Sequence, residues 1–412
     1  MTFDHRAGAS RADQTTVRRA NLGVVLAHVA AQGTCSRAEV AAETGLTRGT
    51  VSSLVGELLD LELLAETGEP QSPGRVGRPG MALRLGERIV AIGLEINVDH
   101  LSVSVEDLAG GVRVERRQYR DNRGARHGAV LDRLAKLATA ALDEARDESL
   151  TPAGIAVAVP GLVDARSGRL LRAPNLGWSD LDIAAELCER LEVDLPITID
   201  NEANLAALAE HWRGAAQGLR SFVCVFGEIG VGAGIFVDGE LFRGSHGYGG
   251  ELGHMTVDRD GLPCACGNRG CLETLVGQEA IARRAGLTGH DGARTRSVTD
   301  ELVRRARAGD PATLDSVRDA GAVLGTALAS TINLFDLDGI VLGGAFGPLA
   351  PWLVDEVRAA LAEHLLSAAW STCELRTSTF GEDAAVRGAA ALVLRRVLTA
   401  PWEVAERAVP VT

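Results

Sequence analysis

The 412-residue sequence is poor in aromatic residues, which make up 4% of it, and Lys136 is its only lysine. It has no apolar run of the roughly 18–20 residues that a membrane-spanning helix needs. Its first residues are polar and lack an apolar signal core, so we expect a cytoplasmic protein with no membrane partner. Cysteines number seven. In a reducing compartment, thiols that cluster in a sequence favour a metal site over disulfides.

The charge is distributed unevenly along the chain. The formal net charge is −13, but residues 1–90 carry ten basic and ten acidic side chains, which leaves 32 basic and 45 acidic groups for the remainder. This balance argues against a protein that coats nucleic acid and predicts a neutral amino-terminal module joined to an acidic body. For a chain of this length we expect two or three domains.

A helix-turn-helix is indicated near the start of the chain. A first helix is predicted over 16–33, and Ser36 with Glu39 forms a capping box for a short second helix that ends at Gly45. Thr47 then caps a third helix. The apolar positions predicted to be buried are Val17, Leu22, Val25, Leu26 and Val29 on the first helix and Val51, Leu54, Val55 and Leu58 on the third.

In such a module the front of the third helix enters the major groove of DNA. Small hydroxyl groups and arginine at this position can meet bases or phosphates. The residues predicted to contact DNA are Ser36, Arg37, Thr47, Arg48, Thr50, Ser52 and Ser53. The alternative is an ordinary helical hairpin, because this geometry also occurs in proteins that do not bind DNA.

A two-stranded wing is predicted to follow, with strands over 61–66 and 81–85. The tip between them, residues 67–80, is rich in glycine and proline and carries Arg75 and Arg78. An extended Gly-Arg-Pro presents a guanidinium that suits a narrow minor groove, so both arginines are predicted to contact DNA. The alternative is a flexible linker whose arginines keep it solvated.

Two later stretches share one layout, which indicates an internal duplication. Each has an apolar strand, a glycine near a Glu-Ile pair and a second strand. The turns are predicted at 93–96 and 227–229, the second one residue tighter. Alternating strands and helices follow each copy. The pattern predicts an α/β, actin-like (ribonuclease H-like) fold with two lobes, at about 88–215 and 216–412, and a cleft between them.

The most specific motif reads GELGHMTVDRDGLPCACGNRGCLE over residues 250–273. His254, Cys264, Cys266 and Cys271 supply one imidazole and three thiolates, which is a closed tetrahedral set for structural zinc (Zn2+). Glycines between them let the loop fold tightly around an ion. The alternatives are free buried thiols or a redox pair, although Cys-x-Cys is cramped for a disulfide.

The chain resembles the ROK family, which contains repressors and bacterial sugar kinases, and especially its transcription-factor branch. The resemblance covers almost the whole length. It rests on the helix-turn-helix with its Gly-Arg-Pro wing, on the cysteine motif, and on VPGLVD at 159–164, PNLGW at 174–178 and DNEANLAALAE at 200–210. It implies a winged helix-turn-helix domain over 1–87 and a two-lobed sugar-binding domain of the sugar-kinase fold over 88–412.

By this resemblance, a set of cleft residues binds sugar. Carboxylates, amides and imidazole suit sugar hydroxyls because each can make directed hydrogen bonds. The implied residues are Gly161, Asn175, Asn201, Glu202, Glu251, His254 and Glu273. The alternatives are solvated loop acids at Glu251 and Glu273 and ordinary turn residues at Gly161 and Asn175.

The resemblance also locates two phosphate-binding turns, and both depart from the kinase pattern. Asp-x-Gly-Gly-Thr is replaced by EINVD at 95–99, and Gly-Thr-Gly by EIG at 228–230. The added acids would repel the phosphates of ATP. Glu202 takes the position of the catalytic aspartate and is one methylene longer, whereas the glycine pair at the adenosine position, Gly343 and Gly344, is kept.

We therefore expect no enzymatic activity and predict a sugar-responsive DNA-binding regulator, more a repressor than an activator. The expected partners are a double-stranded DNA operator, a sugar or sugar-phosphate effector, and further copies of the chain in a homodimer or homotetramer. One alternative is an active ATP-dependent sugar kinase fused to a DNA-binding domain. A third hypothesis is a regulator that responds to a protein partner rather than to a ligand.

Overall fold

The computed structural model describes residues 14–70, 81–287, 295–369 and 373–404. The amino-terminal module is a winged helix-turn-helix whose middle strand, β3, pairs antiparallel with both β1 and β2. In chain order its elements are α1 (Gln14–Gln32), β1 (Cys35–Ser36), α2 (Arg37–Thr44), α3 (Arg48–Asp60), β2 (Leu64–Pro70) and β3 (Met81–Leu85).

Local capping fixes the helix boundaries of this module. The predicted capping box is formed, because the Ser36 N–H donates to Glu39 Oε2 at 2.7 Å and the Glu39 N–H donates to Ser36 Oγ at 3.2 Å. Gly45 ends α2 with a φ of 72°, a conformation that glycine adopts without strain. Thr47 caps α3 by accepting from the Thr50 N–H at 3.2 Å.

The buried face of α1 differs from the prediction at one position. Leu22, Val25, Leu26 and Val29 are buried as expected, but Val17 is 49% exposed. At about 100° per residue, five residues of separation place Val17 roughly 140° around the helix from Leu22, and therefore outside the buried stripe.

The first lobe carries a five-stranded sheet with a small three-stranded sheet, β10-β9-β8, beside it. Its elements are β4 (Ile89–Ile96), β5 (His100–Asp107), β6 (Val112–Tyr119), α4 (His127–Asp147), β7 (Thr151–Val159), β8 (Leu162–Val163), β9 (Leu170–Ala173), β10 (Trp178–Leu181), α5 (Ile183–Leu191), β11 (Ile197–Asn201) and α6 (Glu202–Arg213).

The second lobe carries the other five-stranded sheet. Its elements are β12 (Phe222–Gly227), β13 (Val231–Val237), β14 (Glu240–Leu241), α7 (Glu273–Val276), α8 (Gln278–Arg284), α9 (Thr295–Arg307), α10 (Pro311–Phe335), β15 (Gly339–Gly344), α11 (Phe346–His364), β16 (Glu374–Thr377) and α12 (Ala384–Thr399). Short 3₁₀ turns cover Leu252–His254 and Gly381–Asp383. None of the described helices is both long and apolar enough to cross a membrane.

The two large sheets have the same topology, which agrees with an internal duplication. Their orders are β11-β7-β4-β5-β6 and β16-β15-β12-β13-β14. In each sheet the first strand along the chain pairs antiparallel with the second and parallel with the fourth. The predicted actin-like pair of lobes is therefore present.

The turns of the duplication do not lie where the sequence pattern placed them. Gly93 and Glu95 continue strand β4, and the first turn covers 97–100, between the paired residues Ile96 and Leu101. The second turn covers 228–230 and is one residue shorter. Gly93 is a packing glycine rather than a turn glycine, because a Cβ there would lie 2.1 Å from the Val386 carbonyl oxygen.

Two helices cross between the lobes. Helix α6, which follows the first sheet in the chain, packs on β12 and β13 of the second, whereas α12 packs on β4 and β7 of the first, and the two helices pack on each other. A Cβ at Gly388 of α12 would lie 1.7 Å from the Leu205 carbonyl oxygen of α6. The predicted boundary near residue 215 thus separates the two sheets, but each of these helices lies on the sheet of the opposite lobe.

Candidate functional site

The four predicted metal ligands, His254, Cys264, Cys266 and Cys271, lie together, and their ligand atoms are all within 4.8 Å of one another. The Sγ atoms of Cys266 and Cys271 are 3.7 Å apart, and Cys264 Sγ is 3.6 Å from His254 Nδ1. Tetrahedral zinc–sulfur bonds of about 2.3 Å would place two sulfur atoms about 3.8 Å apart. The cluster therefore has the geometry to hold a metal ion.

Backbone hydrogen bonds and one glycine fold the loop around this cluster. The Cys264 N–H donates to the Asn268 carbonyl oxygen at 2.8 Å, and the Gly270 N–H donates to the Leu262 carbonyl oxygen at 2.8 Å. Gly270 has a φ of 64°, and a Cβ there would lie 1.5 Å from the Asp258 carbonyl oxygen. The loop closes this tightly because the residue is glycine.

His254 presents its two ring nitrogens to different neighbours. Nδ1 faces the thiol of Cys264, whereas Nε2 is 3.9 Å from Glu251 Oε2. A histidine that holds a metal through one nitrogen keeps the other for a second partner. The two predicted roles of His254, as metal ligand and as sugar contact, are therefore compatible.

A cavity opens beside the cluster, in the cleft between the lobes; we call it the glutamate-lined cavity. Loops after β7 and β9, the start of α6, the β12–β13 turn and the start of α12 all contribute to it. All seven residues of the predicted sugar set line it: Gly161, Asn175, Asn201, Glu202, Glu251, His254 and Glu273. The fold thus brings into one place residues that are up to 112 positions apart in the sequence.

One amide holds two walls of this cavity together. Asn201 Oδ1 caps α6 by accepting from the Ala203 N–H at 2.8 Å, and Nδ2 donates to the Gly161 carbonyl oxygen at 2.9 Å. Gly161 has a φ of 111°, and a Cβ there would lie 2.2 Å from the Arg172 carbonyl oxygen. Gly161 is therefore required by the turn as well as by the cavity. Among the described residues only one Nδ2 hydrogen of Asn201 has a partner, so the other is available to a ligand.

Glu202 and Glu228 place two acids with raised pKa values at the same cavity. Burial first, and then the charges of Glu228 and Glu95, raise the pKa of Glu202 well above its usual value. Burial and the charge of Glu95 likewise raise the pKa of Glu228 to about 7. The buried Oε2 of Glu202 has no hydrogen-bond partner among the described residues. When protonated, such groups can donate hydrogen bonds to hydroxyl oxygens as well as accept them.

The two turns that would hold phosphate in a kinase are connected by a side-chain hydrogen bond. Asn97 Nδ2 donates to Glu228 Oε2 at 2.9 Å and is 3.4 Å from Glu95 Oε1. Asn97 and Glu95 are 2% and 1% exposed. The Asn97 amide thus donates its two hydrogens to two carboxyl groups, one from each lobe. The side chains of Asn97, Glu95 and Glu228 lie between the two turns.

A second and wider cavity shares Glu228, Gly381 and Glu382 with the first; we call it the filled cavity because its cations are already paired with carboxylates, although its space is open. His100 lines it, with Nδ1 2.7 Å from Asp99 Oδ1 and Nε2 3.4 Å from Glu95 Oε2. Burial lowers the pKa of His100, but Glu95 and Asp99 outweigh it and raise the pKa to about 10. The charge of this imidazolium is therefore already balanced by buried carboxylates.

The other cation of the filled cavity is also engaged. Arg117 Nη1 is 3.0 Å from Glu382 Oε2, and Nη2 is 2.6 Å from Asp383 Oδ1.

The glycine pair Gly343 and Gly344, at the adenosine position of the kinases, is required by packing. A Cβ at Gly343 would lie 2.3 Å from the Phe226 ring, and one at Gly344 would lie 2.4 Å from the Gly227 carbonyl oxygen. Its presence in the sequence therefore needs no nucleotide to explain it.

The front of α3 is exposed on the winged helix, as a DNA-reading surface requires. Arg48 and Ser52 are exposed and have no hydrogen bond or ion pair within the described part of the chain. Several other predicted DNA contacts have internal partners: Ser36 in the capping box, Arg37 in an ion pair with Glu66 at 2.7 Å, Thr47 with Thr50, and Ser53 with Arg18. Arg75 and Arg78 lie outside the described residues.

Two acids in the DNEANLAALAE motif have structural roles that sequence reasoning missed. Asp200 pairs with Arg243, whose Nη1 is 2.9 Å from Asp200 Oδ1. Glu210 is fully buried and accepts from the Phe380 N–H at 3.1 Å, so it fixes the segment that leads into α12. Their presence in this motif was the available signal, but Arg243 and Phe380 lie far from them in the sequence.

Residues 91–396 match the ROK family, and residues 24–75 match the MarR family. The chain is 29% identical over 387 residues to a xylose repressor of Bacillus subtilis (strain 168), in an alignment that covers 94% of this chain and 98% of the repressor. One matched region lies within the winged helix and the other within the pair of lobes.

Two solved structures resemble this one over different fractions of the chain. A ROK family transcriptional regulator, a homologue of the E. coli MLC protein, is 27% identical with a TM-score of 0.78, and the match covers 95% of this chain and 99% of that one. A ROK family glucokinase from Streptomyces griseus, in complex with glucose and AMPPNP, is 27% identical with a TM-score of 0.63, and the match covers 74% and 98%. The similarity extends over nearly the whole chain for the regulator, but not for the kinase.

Proposed function

The chain belongs to the ROK family, and from this we propose that it is a sugar-responsive DNA-binding transcriptional repressor rather than a kinase. The observation that carries the proposal is the contrast within the cleft. The residues suited to sugar line one cavity, whereas Asn97 and Glu228 bridge the turns that would receive the phosphates of ATP. Similarity to a xylose repressor over 94% of the chain supports a sugar as the effector.

In this proposal a structural zinc ion is held by His254 Nδ1 and the thiolates of Cys264, Cys266 and Cys271. Zinc bound there would cross-link the four residues of the loop. It would have no open coordination position for catalysis, because the protein provides all four ligands. The loop then holds Glu251 and Glu273 at the cavity. Their carboxylates, the free nitrogen of His254 and the amides of Asn175 and Asn201 make hydrogen bonds to sugar hydroxyls.

The winged helix reads operator DNA through the front of α3. Arg48 and Ser52 are the side chains that are free to contact bases or phosphates, and we propose that Arg75 and Arg78 add minor-groove contacts from the wing. A two-fold symmetric operator requires two reading heads, so we propose at least a homodimer. A regulator of this kind acts in the cytoplasm.

Helix α12 supplies the route from sugar to DNA. Ala384 and Ala385 at its start line the glutamate-lined cavity. Its 16 residues span about 24 Å, and its far end contacts the reading module, since a Cβ at Gly23 of α1 would lie 2.8 Å from the Thr399 carbonyl oxygen. If sugar binding changes the angle between the lobes, α12 moves and α1 moves with it. The distance between the two winged helices of the dimer then changes.

The test combines DNA release and ATP turnover on the full chain. DNA fragments selected by binding to the protein are labelled, and their anisotropy is followed during titration with monosaccharides. We expect at least one monosaccharide to weaken DNA binding, with no sugar-dependent ATP turnover in a coupled assay. Turnover would favour the sugar kinase, and DNA binding that responds to no sugar would favour control by a protein partner.

A further inference from the structure

The charged side chains of the glutamate-lined cavity are almost all of one sign. Within the described residues its lining includes no arginine and no lysine. Its single histidine, His254, directs one nitrogen to the cysteines. The acids that line it are Glu202, Glu228, Glu251, Glu273 and Glu382.

Two arginines of the described residues near the cleft, Arg243 and Arg117, are already paired with acids, so neither is free to meet a ligand. Arg243 donates to both carboxylate oxygens of Asp200, and Arg117 bridges Glu382 and Asp383. A site built for a phosphate ester would instead present unpaired arginine or lysine, or a row of backbone N–H groups. The β12–β13 turn presents a glutamate side chain.

Hydrogen bonds hold both the side chain and the backbone of Glu228 in position. Its Oε2 accepts from Asn97 Nδ2 at 2.9 Å, and its carbonyl oxygen accepts from the Gln278 N–H at 3.0 Å. It lines both cavities, as Gly381 and Glu382 do, so it forms part of the wall between them. A ligand that extended from the glutamate-lined cavity toward the filled cavity would therefore meet this carboxyl group.

We infer that the effector is an unphosphorylated sugar, and that Glu228 is the residue that rejects sugar phosphates. This inference rests on the proposed function and decides between the two effector classes that the sequence left open. A neutral sugar gives hydroxyl donors to the acids, whereas a phosphate ester brings a charge of about −2 among them, with no cation to offset it.

The rejection depends on pH through Glu228. Its carboxyl group is faced by Glu95, Asp99 and His100 of the first lobe and by Glu202 of α6. Because its pKa is raised to about 7, it gains its negative charge as the pH rises through 7. Discrimination against the phosphate ester should therefore increase from pH 6 to pH 8.5.

The experiment measures binding of free sugars and of their phosphate esters by calorimetry on the full chain. The probes are D-glucose, D-xylose and N-acetyl-D-glucosamine, the 6-phosphates of the two hexoses, the 5-phosphate of xylose, and inorganic phosphate. We expect at least one free sugar to bind at least tenfold more tightly than its ester, a factor that corresponds to about 1.4 kcal/mol. Glu228→Gln, which keeps an acceptor for Asn97, should lower that ratio at least tenfold and flatten its pH dependence.

Glu115→Gln is the matched control, since Glu115 is an exposed acid that lines only the filled cavity. It should leave the ratio of the two affinities unchanged. A phosphate ester that binds as tightly as its free sugar, or a ratio that Glu228→Gln does not alter, would overturn the inference while leaving a sugar-responsive repressor intact. If neither free sugars nor esters bind, the proposed function itself fails.

Discussion

The glutamate-lined cavity and the filled cavity share Glu228 and Glu382, yet they differ in how their polar groups are used. In the first, Glu202 Oε2 is buried without a hydrogen-bond partner in the described part of the chain, and one amide hydrogen of Asn201 has no partner there either. In the second, His100 lies between Asp99 and Glu95, and Arg117 lies between Glu382 and Asp383. Both cavities therefore have buried polar atoms without a hydrogen-bond partner among the described residues, but in the second the two cations are paired with carboxylates.

This difference shows how a kinase fold can keep one half of its cleft and lose the other. The two sheets have the same topology, and the turns after β4 and β12 occupy related positions. What changes is the side chains that those turns carry. Asn97, Asp99 and Glu228 lie where backbone N–H groups would have to reach a phosphate. Asn97 binds Glu228 instead, and Asp99 binds His100.

The largest effect is expected from Cys266→Ser, which should destroy the glutamate-lined cavity and spare the filled one. Structural zinc contributes on the order of 10 kcal/mol of binding free energy in zinc-finger peptides, so losing one ligand should cost several kcal/mol. We expect no stoichiometric zinc in elemental analysis and no thermal shift with sugar. Cys188→Ser, at an exposed cysteine outside the cluster, is the control. One zinc per chain in Cys266→Ser would refute the ligand assignment.

A change in the filled cavity should act on stability instead. His100→Gln leaves Asp99 and Glu95 buried without their cation, and removing one partner of a buried ion pair costs about 3–5 kcal/mol. Because the pKa of His100 is raised to about 10, its stabilisation is complete below about pH 6.5 and is lost as the pH rises through 10. In urea unfolding, the difference in stability between His100→Gln and the natural protein should therefore shrink steadily between about pH 6.5 and pH 10 and be smallest above pH 10.

The matched control for this change is His127→Gln, at a histidine that is 44% exposed on α4. It should have little effect on stability at any pH. If the stability gap caused by His100→Gln stayed constant from pH 7 to pH 11, the buried imidazolium would not be the origin of the effect.

A third change, Gly23→Ala, should uncouple the glutamate-lined cavity from the winged helix by altering the contact between α1 and α12. A Cβ at Gly23 meets the Thr399 carbonyl oxygen, so Gly23→Ala must displace α1 from α12 at a cost of about 1–3 kcal/mol. We expect sugar binding to persist while its effect on DNA affinity falls at least tenfold. Gly56→Ala, at a helical glycine with nothing within 4 Å, is the control. Normal sugar-induced DNA release in Gly23→Ala would exclude α12 as the route.

The smallest effect is expected at the exposed front of α3. A change there should alter DNA binding without altering ligand binding in either cavity. Arg48→Ala should weaken DNA binding by about 1–2 kcal/mol and lower the salt dependence by about one counterion, whereas sugar affinity stays unchanged. Arg358→Ala, at an exposed arginine of α11, should leave DNA binding intact. Anisotropy titrations at several salt concentrations measure both. An unchanged DNA affinity in Arg48→Ala would place the reading surface elsewhere.

The sequence predicted the parts of the fold that depend on local chemistry. Ser36 with Glu39, Gly45 and Thr47 cap or end helices through neighbours a few residues away, and the cysteine spacing anticipates the cluster around His254. It did not predict contacts between distant segments. Gly93 was interpreted as a turn residue because its partner, Val386 of α12, lies almost 300 positions later.

The same limit applies to the cleft. The acids at 95–99 and 228 predicted repulsion of phosphate, but not that Asn97 would join Glu228 across the lobes or that His100 would become a buried cation. Nor did the pattern show that α6 and α12 each pack on the opposite sheet. These features arise from tertiary packing, which periodicity and motif spacing do not encode.

The most direct test of the contrast between the cavities is calorimetric titration of the full chain, in parallel, with monosaccharides and with ATP and its Mg²⁺ ion. The glutamate-lined cavity should bind at least one unphosphorylated sugar with a measurable heat, and the filled cavity should give no saturable heat with ATP, whether or not sugar is present. Saturable ATP binding that becomes tighter in the presence of sugar would contradict the account.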